Sequence, residues 1–300
     1  MPQVERQLPA LVETARRAAH ENPAGGSLRL DPSLPIPKEV ESLDIHLMPG
    51  CYHTEHVEDD VAAGAVYTYG TSVFGGALKL RTPRGGVAAS IARWLRITRP
   101  DLRPATLLDL GCTTGNNLFP YLEVFPDCVG YGVDVGAPLL RYAHARAETL
   151  GLQVHFSQQR AESLDFADDT FDLVVSSFFL HEISTKSTRQ VLREAYRVLK
   201  PGGVMVHMEL PPSSETDPYY SFYLDWDAYY NNEPHYAAFR ALDFRKEVTA
   251  AGFAPKNYFQ RRIPNFGTIP DAEFEASCRG EIPAPAHGNG ASWFVFGATK

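Results

Sequence analysis

An α/β fold is predicted, with a seven-stranded, mostly parallel sheet carrying helices on both faces. Three observations carry that expectation. The runs Leu107–Leu110 (LLDL), Phe171–Ser176 (FDLVVS) and Val204–Leu210 (VMVHMEL) are nearly continuous in apolar character. Strands covered on both faces have that composition. Helical stretches separate the runs, which implies right-handed crossovers between parallel strands. A glycine-containing turn closes the first strand, at the end where open α/β sheets hold their ligands.

Element by element, the strands fall at Thr106–Leu110, Val129–Val133, Gln153–Ser157, Phe171–Ser176 and Val204–Leu210. Helices between them span Asn116–Val124, Ala137–Thr149 and Ser187–Leu199. A further helix, Tyr236–Ala250, and two closing strands, Asn257–Ile263 and Ser292–Thr299, complete the seven. The Pro- and Gly-rich stretch Pro264–Gly290 reads as surface loop. Residues 1–104 lack this rhythm. They hold an amphipathic helix over Leu8–His20, a Pro/Gly stretch over Asn22–Pro37, an aromatic and histidine-bearing segment over Ile45–Phe74, and a helix over Gly86–Ile97. We divide the chain into an N-terminal cap, residues 1–85, and an α/β domain, residues 86–300, in which 211–235 is an aromatic lid inserted after the fifth strand.

A net charge of −8 disfavours attraction to phosphate backbones, so no nucleic-acid partner is expected. No run approaches the ~18 apolar residues of a membrane span, and the N-terminus lacks an apolar signal core. Cys51, Cys112, Cys128 and Cys278 are scattered without a CxxC pair, which fits free thiols in a reducing compartment. A cytoplasmic protein acting on a small molecule is expected.

The segment Leu107–Leu118, LLDLGCTTGNNL, is the strongest signal. Glycines there permit positive φ and close backbone approach, and a helix N-terminus offers free N–H groups. A dinucleotide fingerprint would need glycine at positions 111, 113 and 116, where the chain has Gly111, Thr113 and Asn116. The pattern present is Asp109-x-Gly111-x-x-x-Gly115. In this the chain resembles the class I, Rossmann-like S-adenosylmethionine-dependent methyltransferases. Their cofactor has no phosphates, and its ammonium and carboxylate need only one acidic side chain and a few amides. Asp134 ends the second strand 19 residues after Gly115 and takes the ribose role. Gln158–Phe166 is similar to the adenine-side loop, although Arg160 stands where an Asp is usual. Asp168–Ile183 matches the fourth strand, and Leu192–Val206 the helix stopped by Pro201-Gly202-Gly203, with Lys200 as a last-turn cation. The resemblance covers roughly residues 86–300, is nearest in style to the quinone-modifying enzymes, and leaves residues 1–85 unexplained. It implies a cofactor site of Asp109, Gly111, Cys112, Thr113, Gly115, Asn116, Asp134, Val135, Ala161, Glu162 and Ser177.

Candidates for the acceptor side are sparser. Tyr219, Tyr223, Trp226 and Tyr230 recur at helical spacing, as a lid on an apolar acceptor or as core or homodimer surface would. Tyr69, with Tyr67 and Phe74, is a candidate cover from the N-terminal side. His181 follows the fourth strand, and its imidazole suits a general base. Glu209 and His207 share a face of the fifth strand and rank second and third as catalytic groups. His46, Cys51, His53 and His56 invite a metal, but His53 and His56 lack a standard ligand spacing, and no metal centre is expected. The expected reaction is methyl transfer from S-adenosylmethionine to an oxygen, hydroxyl or carboxylate, of an apolar or aromatic metabolite. C- or N-methylation, or a non-methylating protein that binds the cofactor, are the alternatives.

Overall fold

A computed structural model describes residues 2–74, 86–288 and 290–300. Its helices are α1 (Pro2–Glu21), α2 (Lys38–Glu41), α3 (Ala62–Phe74), α4 (Val87–Thr98), α5 (Phe119–Val124), α6 (Ala137–Leu150), α7 (Thr185–Val198), α8 (Pro218–Tyr230), α9 (Tyr236–Arg240), α10 (Phe244–Ala250) and α11 (Asp271–Arg279). Its strands are β1 (Ser27–Arg29), β2 (Thr106–Leu110), β3 (Val129–Asp134), β4 (Val154–Gln158), β5 (Phe171–Ser177), β6 (Leu199–Glu209), β7 (Tyr258–Pro264) and β8 (Ser292–Thr299).

The eight strands form one sheet in the order β1-β4-β3-β2-β5-β6-β8-β7, where seven were expected. The pairs from β1 through β6 are parallel, and β8 runs antiparallel to β6 and β7. The additional strand comes from the Pro/Gly stretch. Ser27–Arg29 pairs in parallel with His155–Ser157, reinforced by Ser27 Oγ against His155 Nδ1 at 2.9 Å. Three residues are too short to show a period, so this strand has no sequence signature.

Alternation along each strand sends side chains to two separate cores. Leu107, Leu173, Val175, Val204 and Val206 pack with α4, α5, α6 and α11. Leu108, Leu110, Val174, Met205 and Phe296 pack on the other face with α7, α9 and α10. Leu107 and Leu108 are both completely buried, and each contributes about 1.5–3 kcal/mol relative to exposure. The apolar runs are therefore double-sided strands, as their composition indicates. The N-terminal segment packs on the same molecule: Val12 and Ala15 of α1 and nearby Val61 meet Ala145 and Tyr142 of α6.

Three other expectations change. The helix read over Tyr236–Ala250 is broken, because the Asp243 side chain caps a new helix by accepting the Lys246 N–H at 3.0 Å. The loop read over Pro264–Gly290 contains α11, whose Phe274 and Cys278 enter the core. Lys200 belongs to β6 and pairs with Asp172 at 2.9 Å instead of capping a helix.

Candidate functional site

Two adjoining half-sites lie beyond the carboxyl ends of the parallel strands. The first is the turn after β2. Gly111 and Gly115 both have positive φ, 67° and 75°. A Cβ on Gly111 would stand 2.5 Å from the Phe179 ring, and one on Gly115 would stand 2.4 Å from Phe119. Conformation and close approach both require glycine there. Thr113, between them, is also left-handed at φ 45°.

Asp134 at the tip of β3 ties this turn down. Its carboxylate accepts the Thr113 N–H at 2.9 Å and the Gly136 N–H at 2.8 Å. Burial raises its pKa, and backbone N–H bonds from Gly136, Thr113 and Val135 oppose that rise. Asp109 is fully buried, and burial, aided by the Asp134 charge, raises its pKa well above the usual range. One oxygen of Asp109 has no partner among the described residues. A buried carboxylate oxygen without a partner fits a cationic ligand group. The Ser177 hydroxyl at the end of β5 is likewise buried and unpartnered.

The second half-site follows β5. Phe178 is left-handed at φ 52°, and this turn presents the next two amides to Glu209 at the end of β6. Glu209 Oε1 accepts the N–H groups of Phe179 at 2.9 Å and Leu180 at 2.6 Å, and Oε2 lies 2.5 Å from His181 Nδ1. The pair is buried. Burial by itself would lower the His181 pKa, but the Glu209 charge and hydrogen bond outweigh it and raise the pKa to about 9. His181 Nε2 stands 3.7 Å from Glu182 Oε1. The rings beside the imidazole are Tyr236, edge-on at 5.2 Å, Phe178 at 6.1 Å and Phe239 at 6.3 Å.

A methyltransferase-domain family profile matches residues 107–203, the stretch that builds the first half-site and the His181 turn. A demethylmenaquinone methyltransferase of Thermus thermophilus is 31% identical over 163 residues, which is 54% of this chain and 68% of that protein. The chain belongs to the class I S-adenosylmethionine-dependent methyltransferases. A ubiquinone/menaquinone biosynthesis C-methyltransferase of Vibrio parahaemolyticus is 34% identical over 146 residues, covering 44% of this chain and 54% of that relative. The chain thus spans about half the length of the Vibrio relative. In fold it is similar to phosphoethanolamine N-methyltransferase 2 of Haemonchus contortus, solved with S-adenosyl-L-methionine, with a TM-score of 0.52, 18% identity and coverage of 77% of this chain and 57% of that one.

This methyltransferase uses S-adenosylmethionine as its cofactor. Asp109, Gly111, Thr113, Gly115, Asp134 and Ser177 surround the turn that would hold it. Cys112 is buried beneath that turn, where a Cβ on Gly132 would meet its sulfur at 2.8 Å. Asn116 is engaged elsewhere: its side-chain oxygen and the Thr114 carbonyl both accept from Arg146 of α6 at 2.6 Å. Val135 gives its carbonyl to the Gln158 side chain, Ala161 is buried in the core, and Glu162 pairs with Arg160 at 3.2 Å.

Of the three candidate catalytic groups, the structure joins His181 and Glu209 but not His207. His207 bonds Ser176 at 2.7 Å and packs on Phe296 in the core, and burial pushes its pKa down to about 3. Tyr219, Tyr223 and Trp226 lie on α8, as their spacing predicts, but on its outer face, while Leu224 and Ala228 turn inward. Tyr69 is 61% exposed. Its neighbour Tyr67 is the one that hydrogen-bonds Thr113 and packs edge-on against Tyr52 at 5.6 Å. The side chain of Phe74 lies outside the described residues.

The sequence reading missed Tyr236, Glu182 and Glu233. Glu182 had a signal, adjacency to His181. Glu233 had none, because only tertiary folding brings it to His46, 187 positions away by sequence number. Among the described residues, the ligand atoms that converge are those of His46, Glu182 and Glu233, without Cys51, His53 or His56.

Proposed function

We propose that this methyltransferase acts on a small hydroxyl-bearing aromatic molecule, with the methyl group transferred to the hydroxyl oxygen. The observation that carries this is the buried Glu209–His181 pair among Phe178, Tyr236 and Phe239. Glu209 holds Nδ1 and so leaves Nε2 as the imidazole atom available to an acceptor. In its neutral form, the minor one below a pKa of about 9, His181 Nε2 would take up the hydroxyl proton, and the surrounding rings wall off water and pack an aromatic face. The bound cofactor supplies an electrophilic methyl group on a sulfonium. Asp109, Asp134 and the Gly111–Gly115 turn would hold it, and positioning of this kind can supply about 7–11 kcal/mol of barrier reduction. The described N-terminal residues, 2–74, and residues 211–235 act as covers over the two half-sites. A role for Tyr219, Tyr223 and Trp226 in acceptor binding requires closure of residues 211–235, because all three now face outward.

The second reading is methylation of a ring carbon. The C-methyltransferase activity for which the Vibrio relative is named favours it. It uses the same residues, since removing the hydroxyl proton also activates the ring carbon. Incubation with methyl-13C-labelled cofactor and a panel of phenols and quinols separates the two. Carbon NMR of the product distinguishes a methyl on oxygen from one on carbon. An O-methyl product is expected; a C-methyl product from the same ring overturns the first reading in favour of the second.

A further inference from the structure

The roof of the second half-site holds more negative charge than its hydrogen bonds absorb. His46 Nε2 lies 3.2 Å from Glu182 Oε1 and 3.0 Å from Glu233 Oε1. One ring N–H carries one proton, so it cannot donate well to both oxygens. Glu182 Oε2 is buried with no partner among the described residues. Glu209 adds a third carboxylate, already committed to His181. With all three carboxyl groups ionised, two protonated imidazoles would leave one negative charge without a partner. The ion-pair partners of these carboxylates among the described residues are the two histidines, with no Lys or Arg.

We propose that His46, Glu182 and Glu233 bind a divalent transition-metal cation. Their ligand atoms all lie within 4.8 Å of one another. Two ligands each about 2.1 Å from a shared cation stand about 3.0–3.4 Å apart at octahedral to tetrahedral angles. Both distances from His46 Nε2 fall in that range. The other ring nitrogen, Nδ1, contacts the Tyr52 hydroxyl, the outer partner that a metal-bound imidazole needs to fix its orientation. His46 is 40% exposed, which leaves the cation an entry path. One imidazole and two carboxylates suit Mn(II), Fe(II) or Zn(II) better than a thiolate-seeking ion.

The three ligands come from three parts of the chain. His46 lies between α2 and α3, Glu182 follows β5, and Glu233 follows α8. The first and third are already stitched together: the His46 N–H donates to the Asn231 carbonyl at 2.8 Å, and the Asn232 side chain donates to the Asp44 carbonyl at 3.1 Å. A cation would pin the N-terminal segment and the end of α8 to the sheet. It would also lie near the acceptor oxygen served by His181; that last placement rests on the acceptor reading above, whereas the cation binding does not.

The test is calorimetric titration of the full chain, stripped with a chelator and dialysed, with MnCl2 and separately with ZnCl2. The expected result is one cation per chain and a higher melting temperature on its addition. Glu233→Gln and His46→Ala are each expected to bind at least about tenfold more weakly. Cofactor binding by native mass spectrometry is expected to persist in both. Failure of the wild type to take up either ion at a defined site, or unchanged affinity in Glu233→Gln, overturns the proposal. If His46→Ala does not fold, the near-isosteric Glu233→Gln decides alone. A protein that transfers methyl yet binds neither ion removes the cation and leaves the methyl-transfer reading intact.

Discussion

The two half-sites are built in different ways. The proposed cofactor side is made by consecutive structure: the Asp109–Gly115 turn and Asp134 sit on adjacent parallel strands, Gly111–Cys112 abutting the end of β3. The proposed acceptor side is assembled from scattered pieces, with His46, His181–Glu182, Glu209 and Glu233–Tyr236 brought together by the crossover order of the sheet and the packing of the segments around it. Backbone geometry carries the first half, through positive φ and amide donors. Buried charge carries the second. A family can therefore keep the cofactor turn as a local motif while the acceptor side differs in residues that no short pattern links.

The comparison predicts separable losses. His181→Ala should lower kcat by about 100-fold or more, the usual scale for removing a general acid–base group, and leave cofactor affinity unchanged. Steady-state kinetics beside cofactor titration reads both. An equal loss in the two measurements would mean that His181 holds the cofactor turn and that the halves are not independent.

Asp134→Ala should do the reverse first. It removes an anion that accepts two backbone N–H groups, at 2.9 and 2.8 Å, and to which the resemblance gives the ribose role. Hydrogen bonds to a charged group contribute about 1.5–3 kcal/mol each, so cofactor affinity should fall by about 100-fold. Native mass spectrometry of wild type and variant, with S-adenosylmethionine and its demethylated product, measures it. Retained one-to-one binding in the variant would displace Asp134 from the ribose role.

How much of each half could be read in the sequence follows from the same contrast. The double-sided strands were legible because burial on both faces leaves an unbroken apolar run, and the Asp109–Gly115 turn because an acid and two glycines at fixed spacing have a geometric cause. Strand β1 was not legible: Ser27–Arg29 is three residues long, and its pairing with β4 supplies the order that its composition does not. Which face of α8 is covered was not legible for a related reason. Aromatic spacing identifies a helix, but Tyr219, Tyr223 and Trp226 share it with inward-facing Leu224 and Ala228, and only the packed structure says which stripe is covered. Glu209 and His207 stand two apart on one strand, and the period-two rule treats them alike. Their partners separate them: backbone amides and His181 for one, Ser176 and Phe296 for the other.

That last distinction has a pH signature. His207 titrates at about 3 in the folded chain because burial disfavours its charge, whereas an unfolded histidine titrates near 6.5. Between those values the unfolded state binds one more proton, so this group makes stability fall as pH falls. The slope is about 1.4 kcal/mol per pH unit, present below about 6.5 and ending near the folded value. His207→Gln should flatten the acid limb of unfolding free energy against pH by about one proton. Denaturant unfolding between those limits checks it; coincident slopes would mean that His207 is not a neutral core residue.

The smallest expected effect probes the cofactor turn itself. Thr113 sits at φ 45°, a conformation that costs a side-chain-bearing residue about 1–2 kcal/mol and costs glycine little. Against that, its side chain meets the Tyr67 hydroxyl, one of the contacts that dock α3 over the turn. Glycine also loses more chain entropy on folding, about 0.5–1 kcal/mol. The opposing effects nearly cancel in stability, so Thr113→Gly should shift the unfolding free energy by less than about 1 kcal/mol. Cofactor affinity decides what the strain is for. Unchanged affinity would mean that the backbone amides alone hold the ligand and that threonine serves the docking of α3. Weaker affinity in a stable variant would make the Tyr67–Thr113 contact part of the cofactor site, joining the N-terminal segment to the half that is otherwise local.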